Sequence, residues 1–166
     1  MLLTVPQKYV PKKLTRTDKD IIKSELKKSR GLYKKNKYHT RKKVKSYTSK
    51  TSKHIHNARK MYKIQDIKPS KELSDKTQCS IKGLQEIEKK GMGAYYSSGS
   101  RPNQSAHSWG RARLASSITG GKSAAVDFNI IKRECKKSGK AYKNALKAKK
   151  KHKYGKRRVK NITFRK

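Results

Sequence analysis

Apolar residues recur along this chain in short, helix-spaced groups, separated by lysine-rich stretches that have no period. From Thr17, "TDKDIIKSELKKSRGLYKK" sets Ile22, Leu26 and Tyr33 on one helical face, with Thr17 and Asp20 as a helix-start pair. Ser52 opens a second helix in which Ile55, Ala58 and Tyr62 share a face. Between the two, "YHTRKKVKSYTSKTSK" (Tyr38–Lys53) carries no stripe and reads as an extended basic connector. Pro69 and Ser70 begin a turn or short helix. Ser80 caps a stronger helix bearing Ile81, Leu84 and Ile87, with Gly91 as its left-handed end. Ser105 caps the next, which carries Trp109, Ala112 and Leu114 to Ile118 and stops at Gly120 and Gly121. Ser123 then starts a segment with Val126, Ile130 and Ile131 as core. Last comes an Ala/Lys helix whose thin stripe of Ala141, Ala145 and Ala148 is too weak to fold alone and which frays into a basic tail. The predicted fold class is mainly α: a small helical module with extended basic N- and C-terminal arms.

Charge gives this pattern a domain map. The 166 residues hold 48 Lys and Arg against 10 Asp and Glu, a net charge of +38. Self-repulsion on that scale opposes compaction unless a polyanion or an acidic partner offsets it. Residues 1–65 carry +18, residues 66–134 only +5, and residues 135–166 +15. The expected division is a basic N-terminal arm with two short helices (1–65), a compact helical docking module (66–134), and a basic C-terminal helix and tail (135–166). The hydrophobic fraction, 31%, limits the chain to a modest core. The opening "MLLTVPQKYVPKK" is too short in its apolar run for a signal peptide, and no stretch approaches the length of a membrane span.

The motifs argue against catalysis. "TGGKS" (Thr119–Ser123) resembles the end of a phosphate-binding loop, but position 116, where the first glycine belongs, is Ser116, and no apolar strand leads into it. Gly120 and Gly121 therefore read as a turn between helices. From Lys89 to Val126 there is no carboxylate to serve as an acid, a base partner for His107, or a metal ligand. His107 and Ser108 are adjacent on a helix and point apart, and His54 and His56 do not share a helical face. Cys79 and Cys135 stand 56 positions apart with no CxxC spacing, so the reading is two reduced structural thiols, with a bond between them left open. No enzyme activity, cofactor or metal is expected.

Binding remains. Tyrosines interleave the lysines, and the candidate partner-binding residues are Tyr33, Tyr38, Arg41, Lys42, Lys43, Tyr47, Tyr62, Arg101, Arg111 and Arg113. "GMGAYYSSGSRPNQSAHSWGRARLASSITGGKS" (Gly91–Ser123) holds a single lysine, two tyrosines and the only tryptophan. A flexible linker has no use for such rings. It reads as part of the docking module, with Tyr95, Tyr96, Trp109, Leu114, Ile118 and Ile131 as core and "SSGSRPNQS" as an ordered, hydrogen-bonding loop.

Lys90–Ile131, with its GAYYSSGSRPNQ run, resembles a signature of uncharacterised proteins from large icosahedral DNA viruses of algae and protists, the chloroviruses and their relatives. Lys27–Ile64 resembles a second recurrent element of the same proteins. The resemblance spans roughly half the chain and implies a virion-associated role: a minor capsid protein on the inner side of the shell that cements major capsid subunits or links the shell to the interior. The implied partners are the major capsid protein and other minor capsid proteins. The composition by itself favours a nucleic-acid-binding protein, either a virion DNA condenser or a ribosomal-type RNA binder. Where the basic arms go, to acidic protein surfaces or to phosphates, separates the two.

Overall fold

The computed structural model describes residues 2–153 and 159–165. Among them are eight α-helices and one two-stranded antiparallel sheet, so the fold is mainly α. The chain forms two units, each assembled from separated segments. Unit 1 comprises residues 1–50, 92–109 and 158–166; unit 2 comprises 51–91 and 110–157. These boundaries replace the division into an arm, a module and a second arm. Unit 1 holds 22 Lys and Arg against 3 Asp and Glu, and unit 2 holds 26 against 7, so each carries +19. The nearly neutral middle exists in sequence only.

In unit 1 the N-terminal residues are not an open arm. Strand β1 (Leu3–Pro6) pairs with β2 (Asn161–Phe164), Leu3 facing Phe164 and Pro6 facing Asn161. Leu3 and Val5 alternate inward, as a half-buried strand requires. They pack with Tyr9, Val10, Leu14, Ile22, Leu26 and Val44 in a hydrophobic core of their own. Pairing with a partner strand far away in sequence is what the local pattern of either segment does not announce. The tail expected to fray thus contributes β2, while its residues 154–158 lie outside the described residues.

Helix α1 (Arg16–Tyr33) begins two residues earlier than its sequence suggested. Thr15, not Thr17, is the cap, accepting the Asp18 N–H, and Asp18 rather than Asp20 is held inside. Residues 38–50 have no regular element, yet three polar side chains fix them. Glu25 accepts the Lys42 N–H (2.8 Å) and His39 Nε2 lies 2.8 Å from its carboxylate. Asp18 accepts the Ser46 N–H (2.8 Å). Asn103 accepts the Val44 N–H and donates to the Val44 and Tyr47 carbonyls. Backbone that lacks a ladder must find partners in side chains, and here it does.

Unit 2 contains α2 (Lys53–Tyr62), α3 (Lys71–Thr77), most of α4 (Ile81–Ser97) and α5 (Ala106–Ile118), then α6 (Lys122–Val126), α7 (Phe128–Glu134) and α8 (Lys140–His152). Its core joins Leu73, Leu84, Ile87, Leu114, Ile118, Phe128 and Ile131 with the three alanines of α8. Ser52 and Ser70 cap α2 and α3 as the sequence foretold. Helix α4 does not end at Gly91. A Cβ there would sit 2.6 Å from the Gly110 Cα, so the glycine permits two helices to cross closely rather than terminating one. The segment after Ser123 breaks at Asp127 into α6 and α7, which leaves Val126 exposed instead of in the core. Cys79 and Cys135 are joined by a disulfide, correcting the expectation of free thiols. They face each other as an antiparallel bridge, flanked by Ser80 N–H to Glu134 O and Lys136 N–H to Gln78 O.

Candidate functional site

The location of the negative charge decides what the surface offers. Nine of the ten carboxylates are in a hydrogen bond or ion pair with the chain's own groups. Three are buried. Asp18 is held by Ser46, whose hydroxyl and N–H bonds lower its pKa. Glu25 is pushed up by burial but pulled down further by the Lys42 N–H and His39, for a net lowering. Asp127, fully buried, takes both arms of the Arg113 fork (3.0 and 2.7 Å), the Ser117 hydroxyl (2.8 Å) and Lys90 Nζ (3.3 Å). Three anions thus serve inside and six pair with cations nearer the surface, as Asp20 does with Lys23, Asp66 with Lys68 and Asp75 with Lys71, so ten carboxylates against 48 Lys and Arg leave a large cationic excess.

Helix α8 presents those lysines most regularly. Ala141, Ala145 and Ala148 face inward, and their small side chains let the helix pack against α6 and α7. Lys140, Lys143, Lys147, Lys150 and Lys151 are exposed on the other side, with Lys136 and Lys137 exposed just ahead of them. Spacing of three and four places Lys140, Lys143, Lys147 and Lys150 along one helical face. Such a row at short intervals suits a polymer of phosphates.

The candidate partner-binding residues divide sharply. Lys42, Lys43 and Arg101 are exposed and Tyr47 is half-buried with Lys13 5.0 Å from its ring centroid. Four others make contacts within their units: Arg41, Tyr62 and Arg113 are largely covered and are corrected as partner-binding residues, while Arg111 stays 43% exposed beside its carboxylates. Arg41 lies 3.7 Å over the Tyr95 ring and donates to the Tyr95 carbonyl, Ser29 and Ser100. Tyr62 is buried and donates to the Ile118 carbonyl; burial pushes its hydroxyl pKa up. Arg111 is paired with Glu88 and Asp66, and Arg113 with Asp127. The acceptors of these arginines lie within the fold, where sequence separation hides them.

The expected module core is likewise split. Tyr95 is buried in unit 1, whereas Leu114, Ile118 and Ile131 are buried in unit 2. Trp109 and Tyr96 are only half-buried. Trp109 meets Tyr9 edge-on at 5.9 Å on the border of the unit 1 core. Tyr96 instead joins Tyr33 and Tyr38 in a surface cluster, with centroid separations of 6.2 Å to Tyr33 and 5.0 Å to Tyr38. The loop "SSGSRPNQS" is ordered by its polar side chains: Ser100 accepts from Arg41, Asn103 bonds the connector, and Gln104 accepts from Ser108.

The "TGGKS" segment is the turn between α5 and α6, with Gly120 at φ +77° and Gly121 preceding α6. A depression bordered by Glu25, Leu26, Arg41, Arg101 and Asn103 has room for about one water. Among the described residues no group of His, Cys, Asp and Glu is placed to hold a metal ion, and no helix is long and apolar enough to cross a membrane.

Fold and surface together define a small, mainly helical protein of two cationic units. Over residues 6–137 the chain matches a family of unknown function, DUF5824, and it belongs to that family. No curated protein and no solved structure is similar to it.

Proposed function

We propose that this protein is a structural virion component, a minor capsid protein on the inner side of an icosahedral shell, whose two cationic units link the shell to a polyanionic interior. The observation that carries the proposal is the charge of the two units, each of which keeps +19 with nine of the ten carboxylates already paired to the chain's own groups. A surface so unbalanced is costly to the free chain and is relieved by a large polyanion or an acidic lattice. The placement in a virion rests on the resemblance of Lys27–Ile64 and Lys90–Ile131 to proteins of large icosahedral DNA viruses. The Cys79–Cys135 disulfide accords with it, because such bonds persist on virions and outside cells far better than in reducing cytosol. The major capsid protein and other minor capsid proteins are the proposed partners on the shell side.

A second reading is a nucleic-acid-binding protein with no capsid role, condensing DNA or binding ribosomal-type RNA. The lysine row of α8 favours it. Particles emptied of their genome discriminate the two. Under the first reading the protein stays on the emptied shell, and at near-physiological salt its hold on unrelated duplex DNA is only in the roughly 10⁻⁴–10⁻⁶ M range. Loss of the protein with the genome, from an intact capsid lattice, refutes the capsid reading and establishes the second.

A further inference from the structure

Unit 1 carries an aromatic cluster that nothing in its core requires. Helix α1 ends at Tyr33, and Asn36 takes a left-handed turn (φ +55°). The Asn36 N–H donates to Tyr33 O and the Lys37 N–H to Leu32 O, so the chain doubles back at once. This reversal lays Tyr38 beside Tyr33, with ring centroids 6.1 Å apart, and beside Tyr96. Tyr33 and Tyr96 are close to parallel, 13° between planes.

The rings are held from behind. Tyr95, the neighbour of Tyr96, is fully buried under the Arg41 guanidinium, and its hydroxyl accepts the Arg41 N–H at 3.1 Å. Tyr95 and Tyr96 meet edge to face at 88°. Fixing Tyr95 therefore fixes the direction of Tyr96. Tyr38 caps the cluster and is 70% exposed, a large expense of apolar area if packing were its purpose.

Charge says what the rings face. Lys34, Lys35 and Lys37 are exposed in the turn itself. The sequence contains no carboxylate between Glu25 and Asp66, nor between Glu88 and Asp127, so the segments that supply the rings bring no anion with them. An exposed Tyr38 ring held against the half-buried Tyr33 and Tyr96 among lysines combines the two features that bind single strands, stacking for the bases and cations for the phosphates. A duplex offers only the second along its length, because its base faces are already stacked.

We propose that Tyr33, Tyr38 and Tyr96, with Lys34, Lys35 and Lys37, form a stacking site for single-stranded nucleic acid. The site rests on the polyanion-binding part of the function proposed above and specifies its ligand. The test is fluorescence anisotropy at about 0.15 M salt, where exposed charges are screened beyond about 8 Å. The full chain is titrated into a labelled oligothymidylate, an abasic phosphodiester of the same length and a duplex. Tyr38→Ala weakens oligothymidylate binding about 5- to 150-fold, the equivalent of about 1–3 kcal/mol for one stacked base. It leaves duplex binding within about two-fold, since no phosphate contact is removed. Tyr38→Phe, which keeps the ring, binds like the parent protein.

An abasic polymer that binds as tightly as oligothymidylate overturns the site, as does oligothymidylate binding that ignores Tyr38→Ala while duplex still binds; in both cases the polyanion reading survives. If neither nucleic acid binds at that salt, both proposals fall. Loss of shell attachment on Tyr38→Ala with unchanged oligothymidylate binding overturns the site in favour of a protein contact.

Discussion

Removing the carboxylate of Asp127 tests how unit 2 is held together. The side chain has no exposed surface and sits where α6 gives way to α7. It receives the Arg113 fork and Ser117 from α5 and Lys90 from α4. Asp127→Ala leaves a guanidinium only 20% exposed, and a fully buried Ser117 hydroxyl, without their acceptor. Breaking one partner of a buried ion pair costs about 3–5 kcal/mol, and stranding the hydroxyl adds about 1 kcal/mol. Small domains are stable by about 5–15 kcal/mol, so the loss is a third or more of the total. Asp127→Asn keeps the shape and one acceptor oxygen and costs less, about 2–3 kcal/mol. Replacing both partners, Asp127→Ala with Arg113→Met, costs less than the sum of the single changes, because the uncompensated cation is gone. Urea unfolding followed by far-ultraviolet circular dichroism reads the parent, these three variants and Arg113→Met alone. A loss below about 1 kcal/mol for Asp127→Ala refutes the reasoning: Arg113 would then escape to water, and the cluster would be worth no more than a surface pair.

Reducing the Cys79–Cys135 bond frees a segment with a sequence separation of 56, which lowers stability by about 4 kcal/mol on the chain-entropy estimate; unfolding curves that coincide with and without reductant refute the bond. Asp18 and Glu25 have pKa values below their ordinary 3.8 and 4.5, so the stability they give is present above that range and is lost as pH falls through their lower folded values. Trp109, the only tryptophan and a member of unit 1, reports the acid transition by fluorescence, and Glu25→Gln shrinks the pH dependence; an unchanged acid profile in that variant contradicts the assignment. Gly91→Val drives a side chain into the Gly110 backbone and destabilises unit 2 by about 1–3 kcal/mol in thermal unfolding, whereas Gly31→Ala, which meets nothing within 4 Å, does not destabilise.

Local signals in the sequence were legible where the structure is local. Ser52, Ser70 and Ser105 mark helix starts because a hydroxyl cap acts within three residues of itself. The alanine stripe of α8 and the turn at Gly120 follow from periodicity and backbone freedom in the same way. What escaped depends on residues far apart. Asn103 reaches Val44 across 59 positions, Tyr62 reaches Ile118 across 56, and β1 meets β2 across most of the chain. Arg41, Arg111 and Arg113 look like partner-binding residues in sequence because their acceptors are a backbone carbonyl, two serines and carboxylates on other helices. Tyr33 and Tyr38 were readable as candidates, but their union with Tyr96 depends on the left-handed turn at Asn36. An asparagine at that position is a weak signal on its own.

The way the chain spends its acids links its fold to its proposed function. A protein of +38 has two routes to stability: neutralise its surface with carboxylates, or use the carboxylates as internal ligands and leave the surface to a partner. Asp18 and Glu25 tie the connector to α1, and Asp127 ties α4 and α5 to the junction of α6 and α7. Each of these anions organises backbone or a guanidinium that would otherwise lack a partner, a larger return than an exposed pair provides. The consequence is that the lysines of α8 and of the turn after α1 stay unmatched by any anion on their own segments. The same choice makes the free units self-repelling and makes their folding gain from a bound polyanion, since whatever binds only the folded state stabilises it. Salt sensitivity of stability and affinity for polyanions are therefore two readings of one fact, ten carboxylates, three of them buried, against 48 cations.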